Sequence, residues 1–350
     1  MPVIAEVVDA AVGGDTHRDI HALEMVAANG ATIATIEVTN DSDGFVAAIG
    51  WLVEHAPGPQ VVIGLEGTRS YGIGLARALR DAELTVVEVE RPRRSDRRRG
   101  KSDPIDAHLA ALQVLRMDAD RLPTPRADGN REALRILLGA RREMTITKTK
   151  QTNRLRALLL GGDDTDRDLA RGALTDQKLT MISRRRGRTG DTVEQSVRRE
   201  EVRRLALAIR TGAAALKDNK RQLRALVESI APALMQRVGV GPVSAAQAMV
   251  SWSHHGRCRN EAAFAALAGS NPIPASSGRV TRHRLNRGGD RQLNRSLHDI
   301  VLTRWRTDPR THAYISRRRA AGKTDTEIRR ALKRCVAREL FRVLEATPAA

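Results

Sequence analysis

The first 115 residues alternate apolar runs of strand length with stretches of helical spacing, and that order limits the folds open to the chain. Residues 5–12 form a short apolar run that leads to Gly13-Gly14-Asp15. Residues 21–28 and 31–38 flank Asn29-Gly30, a pair that tolerates positive φ and so marks a hairpin turn. Residues 44–55 have helical apolar spacing, and residues 61–65 are a continuous apolar run of the buried-strand type, closed by Glu66. Residues 71–82 read as helix, 84–89 as strand and 105–115 as helix. The order is β-β-β-α-β-α-β-α.

That order predicts an α/β domain with a mixed sheet flanked by helices, as in the ribonuclease H-like fold. The pattern then changes. Residues 130–160 and 192–230 are long, helical and charged, with apolar positions such as Leu134, Leu137 and Leu138, then Val202, Leu205, Ala206 and Ile209. Residues 161–190 between them are rich in Gly, Asp and Arg and read as a looser insert. The two helices suit a coiled-coil arm or a bundle within one subunit; the heptads are too imperfect to separate these. After Pro232, Gly239-Val240-Gly241 lies between helical segments. It suits a helix-hairpin-helix turn or an ordinary tight turn. Residues 261–268 read as helix, 269–289 as a Gly-, Pro-, Ser- and Arg-rich loop, and 290–305 as a helix capped by Asp290. A basic helix runs from 325 to about 344. The expected domains are 1–125 (α/β), 126–231 (helical arm, insert near 161–190) and 232–350 (mainly α).

Charge narrows the partners. The 350 residues carry a net charge of +19, and the basic residues are mostly Arg. Arg presents a planar fork suited to phosphate, which makes nucleic acid the leading partner class over a plain solvated surface. No apolar stretch is long enough to span a bilayer and no signal peptide is evident, so a cytoplasmic protein without a membrane partner is expected. Cys258 and Cys335 form neither a metal pattern nor a disulfide framework. Aromatic residues make up 2% of the chain, too few for base stacking to dominate binding. The run Arg91-Pro92-Arg93-Arg94-Ser95-Asp96-Arg97-Arg98-Arg99-Gly100-Lys101 is non-periodic and basic. Such runs are usually just solvated. This one leads directly into an acidic pair, which favours phosphate contacts by Arg93, Arg94, Arg97, Arg98, Arg99 and Lys101.

Four acids suit a divalent metal. Asp15 follows the first apolar run and Glu66 closes the fourth. Asp103 and Asp106 are one helical turn apart at a helix start, with Pro104 at a permitted first-turn position. Each has a plain structural reading: turn residue, N-cap, or first-turn charge favoured by the helix dipole. Glu66 is harder to dismiss, because an unpaired carboxylate at the end of a buried strand is costly. Together the four predict a carboxylate cage for Mg²⁺ beside a scissile phosphate.

At this point the chain resembles a known family. Gly-Asp-Thr-His-Arg-Asp around Asp15, Leu-Glu-Gly-Thr-Arg-Ser-Tyr-Gly around Glu66 and Lys-Ser-Asp-Pro-Ile-Asp-Ala around Asp103 and Asp106 resemble the DEDD transposases of the IS-one-ten insertion-sequence group. The likeness continues through Phe264-Ala265-Ala266-Leu267-Ala268-Gly269, Pro272, Ser276-Ser277-Gly278 and Arg287-Gly288-Gly289-Asp290-Arg291, and so covers nearly the whole chain. The spacing between Gly278 and Gly289 is shorter than the family pattern. The resemblance implies a RuvC-like N-terminal domain, a Mg²⁺ cofactor and a C-terminal transposase domain with a nucleophilic serine. That serine maps to Ser277, with Ser276 as runner-up. Taken alone, a serine pair in such a loop is usually a turn. Arg279, Arg282, Arg284, Arg287 and Arg291 surround it, ready to neutralise phosphate, and His283 reads as a phosphate or structural contact. The resemblance further implies donor and target DNA, a structured guide RNA encoded by the element, and a dimeric or tetrameric assembly. Two rivals remain: a junction resolvase that uses water as nucleophile, and a non-catalytic nucleic-acid-binding protein.

Overall fold

The computed structural model describes residues 2–91, 103–120, 122–126, 128–275, 283, 284 and 286–347, and only the backbone of Asp103. The chain divides into two compact units. One comprises 1–132, 251–286 and 337–350, the other 133–250 and 287–336.

The first unit is built on β1 (Ala10–Thr16), β2 (Ile20–Ala27), β3 (Thr32–Thr39), α1 (Ser42–His55), β4 (Val61–Leu65), α2 (Ile73–Asp81), β5 (Thr85–Glu88) and α3 (Asp103–Leu115). This is the element order expected from the apolar runs. The strands form one five-stranded mixed sheet in the order β3-β2-β1-β4-β5. The β1–β2 and β2–β3 pairs are antiparallel, and β1–β4 and β4–β5 are parallel. The hairpin turns at Gly30, with φ of 85°, and the Asn29 side chain accepts from the Ala31 amide. β1 is buried along its whole length, as a central strand covered on both faces must be, whereas β3 is mostly exposed at the edge.

Alternation along the strands sorts the two faces. Ala10, Val12, Leu23, Met25, Ile63, Leu65 and Val86 pack with Trp51, Leu52, Leu75 and Leu79 of α1 and α2. Ala11, Val26, Val62, Val87 and Val89 pack with Ala110, Ala111 and Val114 of α3. A mixed sheet with helices on both faces is compatible with a ribonuclease H-like fold.

The long helices are α4 (Gly129–Leu160) and α7 (Val193–Ile230). Asn219 on α7, 4% exposed, donates to the Leu137 carbonyl of α4, and Arg141 donates to the Leu216 carbonyl. The intervening segment, read as a looser insert, contains α5 (Asp164–Ala170) and α6 (Asp176–Ser183). Leu169, Leu179 and Ile182 of these helices share a core with Leu155, Leu159, Val202 and Ile209. Burial of that apolar face makes the insert a packed helical cap despite its polar composition.

Then follow α8 (Pro232–Met235), α9 (Pro242–Trp252), α10 (Glu261–Leu267), β6 (Ile273–Pro274), β7 (His283–Arg284), α11 (Arg291–Thr307), α12 (Pro309–Ala320) and α13 (Asp325–Glu345). Asp290 caps α11 as expected, accepting from the Gln292 and Leu293 amides. The stretch read as a plain loop from 269 to 289 contains β6 and β7, paired antiparallel through Ile273↔Arg284 and Pro274↔His283. Two-residue strands are too short to leave a periodic signal.

Candidate functional site

The acidic positions meet the sheet at one edge. β1 and β4 run parallel with Gly14 opposite Leu65, so Asp15 and Glu66 are the next residues on neighbouring strands. The Glu66 amide donates to the Gly14 carbonyl at 3.0 Å, and Thr16 Oγ1 donates to the Glu66 carbonyl at 2.8 Å. Asp15 therefore lies inside β1, one residue from its end. The expectation that Asp15 follows the first strand is corrected, because Gly13, Gly14 and Asp15 itself pair in the β1–β2 ladder.

The same alternation puts Asp15 and Glu66 on the face covered by α3. Gly13 and Gly64, two residues before each acid, are the places where that helix sits closest. A Cβ on Gly13 would stand 2.0 Å from the Ala107 carbonyl oxygen, and one on Gly64 would stand 2.2 Å from a Val114 methyl. Only bare backbone lets α3 settle so near β1 and β4. Asp106 precedes Ala107 and is 2% exposed; Asp15 is 5% exposed.

Each acid has identifiable neighbours. Asp15 Oδ2 is 3.2 Å from His17 Nε2, and the His17 amide donates to His21 Nδ1 at 3.3 Å. His21 is fully buried, stacks on Phe45 and has its proton affinity pushed below the ordinary value by that burial. Glu66 Oε1 is 3.3 Å from Arg91 Nε. A further carboxylate lies on the same face. Glu24 is paired with Gly13 across the β1–β2 ladder, is 6% exposed, and bonds His108 Nδ1 of α3 at 2.8 Å and Thr32 Oγ1 at 2.6 Å. Sequence reasoning missed Glu24 and His108. The available signal was an acidic residue within an apolar strand run.

Among the described residues, no three His, Cys, Asp or Glu side chains form a group that could hold a metal. The Asp103 side chain lies outside the described residues; its backbone opens α3. The carboxylates nonetheless fit a hard divalent cation in kind. They are oxygen donors, Asp15 and Glu66 on one face of the sheet and Asp106 on the helix that covers it, with Asp15 and Asp106 deeply buried. Arg93, Arg94, Arg97, Arg98, Arg99, Lys101, Ser276, Ser277, Arg279 and Arg282 lie outside the described residues. Arg284, Arg287 and Arg291 are exposed, as is His283. Asn271 and Asn286, which flank the β6–β7 pair, are joined by a hydrogen bond of 2.7 Å.

The class that the fold and the acids define is a mixed α/β chain compatible with the ribonuclease H-like fold, with Asp15 and Glu66 on neighbouring segments and Asp106 on the helix packed over them. Comparison with known proteins narrows it. Residues 12–162 match the model described as DEDD transposase, and residues 231–316 match that of the transposase IS116/IS110/IS902 family. A curated relative from Streptomyces coelicolor, the insertion element IS110 uncharacterized 43.6 kDa protein, is 34% identical over 109 residues. That match spans 30% of this chain and 27% of the relative. The two family segments together take in more than half of the chain, and the chain belongs to the IS110 family of transposases. The four acids fall within the first segment and Ser277 within the second.

Proposed function

We propose that this protein is the recombinase of an insertion sequence, cutting and rejoining DNA through a serine nucleophile beside a metal-bearing acidic site. The observation that carries this reading is the β1–β4 register. It makes Asp15 and Glu66 neighbours under α3, within a segment matching DEDD transposases.

Asp15, Glu66, Asp103 and Asp106 are the residues that would hold Mg²⁺. When bound, the ion would polarise the scissile phosphate. Burial of Asp15 and Asp106 keeps their carboxylates out of bulk water, which strengthens their pull on a cation. His17, against Asp15, and Arg91, against Glu66, hold these side chains at the edge of the sheet.

Ser277 Oγ attacks phosphorus and the bond to the 3′ oxygen breaks. A 5′-phosphoserine and a free 3′-hydroxyl result, with the serine proton ending on that hydroxyl. The reverse step on another strand rejoins DNA without ATP, because the ester bond is kept. Arg279, Arg282, Arg284, Arg287 and Arg291 neutralise phosphate around the serine. The family likeness supports a guide RNA from the element that pairs with donor and target DNA, with the protein reading backbone and shape. It also supports an assembly of two or four subunits, in which one subunit's acids act with another's serine.

Trapping protein on nicked DNA tests this reading. The wild type should yield an adduct that mass spectrometry maps to Ser277, and Ser277→Ala should lose adduct and recombination together. Cleavage by Ser277→Ala with a free 5′-phosphate would make water the nucleophile and the chain a junction resolvase. An adduct on Ser276 would keep the mechanism and move the residue.

A further inference from the structure

The geometry points to a phosphate-binding site on the opposite face of the sheet from the acids, formed by Arg69, Arg126, Arg131 and Arg257. Only the identification of the phosphate as nucleic-acid backbone rests on the function proposed above.

The site centres on Glu88 at the end of β5. Glu88 pairs with Leu65 in the β4–β5 ladder, and Val87 and Val89 on either side of it face α3. Alternation turns Glu88 to the α1–α2 face. Arg126 clasps its carboxylate with two nitrogens, Nε at 2.8 Å and one terminal nitrogen. Arg69 Nε stands 3.8 Å from the same carboxylate. Arg131 donates to the Arg126 carbonyl at 2.6 Å and lies 3.7 Å from Glu132. Arg257, anchored on the Ser251 carbonyl, is within electrostatic reach of Arg126, Arg69, Arg131 and Glu88.

Arg126 and Arg69 thus flank a half-buried carboxylate, with Arg257 and Arg131 within electrostatic reach of both arginines, Glu132 half-buried and Glu90 exposed at the margin. Burial and the like charges of Arg126, Arg69 and Arg257 push Arg131 down to about 10. Burial and then Arg126 push Arg257 down too. Burial works to raise the Glu88 carboxyl, but Arg126 overrides it and holds the group below its ordinary value. A half-buried crowd of like charges costs stability, and a bound anion offsets that cost. Guanidinium forks match the tetrahedral oxygens of phosphate, and Arg69 is exposed enough to meet an incoming ligand. The site would anchor backbone at a distance from the reacting phosphate.

The test uses the full chain with two probes: inorganic pyrophosphate by calorimetry, and a fluorescent DNA duplex by anisotropy across a salt series. The variant is Arg69→Gln with Arg257→Gln. Arg69→Gln alone, at a side chain 46% exposed, serves if the pair fails to fold. Arg221→Gln on α7, 79% exposed, is the control. The double variant should lose pyrophosphate binding, weaken duplex binding about tenfold at low salt and reduce the log–log salt slope by about one to two. Restoring charge with Lys at both positions should return the slope. Loss of pyrophosphate binding with the duplex unchanged would support the site and assign it to a free phosphoanion. Unchanged binding of both probes in a folded variant would overturn the site and leave an internal ion-pair network. Absence of duplex binding in the wild type would count against the proposed function, and the pyrophosphate arm would still decide the site.

Discussion

Gly13 and Ala107 are in such close approach that a single Cβ on Gly13 would lie 2.0 Å from the Ala107 carbonyl oxygen. The clash is with helix backbone, which cannot step aside as a side-chain tip can. Gly13→Ala should therefore lift α3 from β1 and destabilise the chain by about 1–3 kcal/mol. Gly139, within α4, has nothing within 4 Å of its would-be Cβ. Gly139→Ala should stabilise by about 1 kcal/mol. Urea unfolding of the two variants checks the opposite signs.

Asp106→Asn removes charge while keeping shape at a residue 2% exposed. Strand cleavage should fall on the order of a hundredfold or more, and duplex affinity should stay within about twofold. Gel assays of cleavage beside anisotropy measure both. Cleavage that survives in Asp106→Asn would remove this residue from the chemistry.

Stability should decline as the pH drops from about 7.5 towards 5.5. Burial lowers the proton affinity of His21, His254 and His298 below the ordinary 6.5. The unfolded chain therefore binds protons at these positions first, and stability is lost as the pH falls through the unfolded value towards the lower folded one. The denaturation midpoint against pH should be flatter in His298→Asn than in the wild type.

Replacing Arg93, Arg94, Arg97, Arg98 and Arg99 with Gln should weaken binding to duplexes of any sequence. The salt slope should fall by roughly one unit per lost phosphate contact. An unchanged slope would identify the run as solvated.

Local chemistry made much of the element order legible. The period-two and helical spacings gave the order of elements, Asn29-Gly30 marked the β2–β3 turn and Asp290 marked the start of α11, because each depends on residues a few positions apart. What spacing cannot encode is which elements become neighbours. β4 inserts beside β1 and not beside β3, which precedes it in the chain, and only that choice makes Asp15 and Glu66 adjacent. Nothing local marks Gly13 and Gly64 as the seat of α3, which only the packing of that helix on β1 and β4 makes them. Glu24 meets His108 across 84 positions, and Arg257 joins the arginines round Glu88 from a distant part of the sequence. Residue identity determined the turns, caps and periodicities. Packing of the two sheet faces, a sum over contacts remote along the chain, decided which charges share a site.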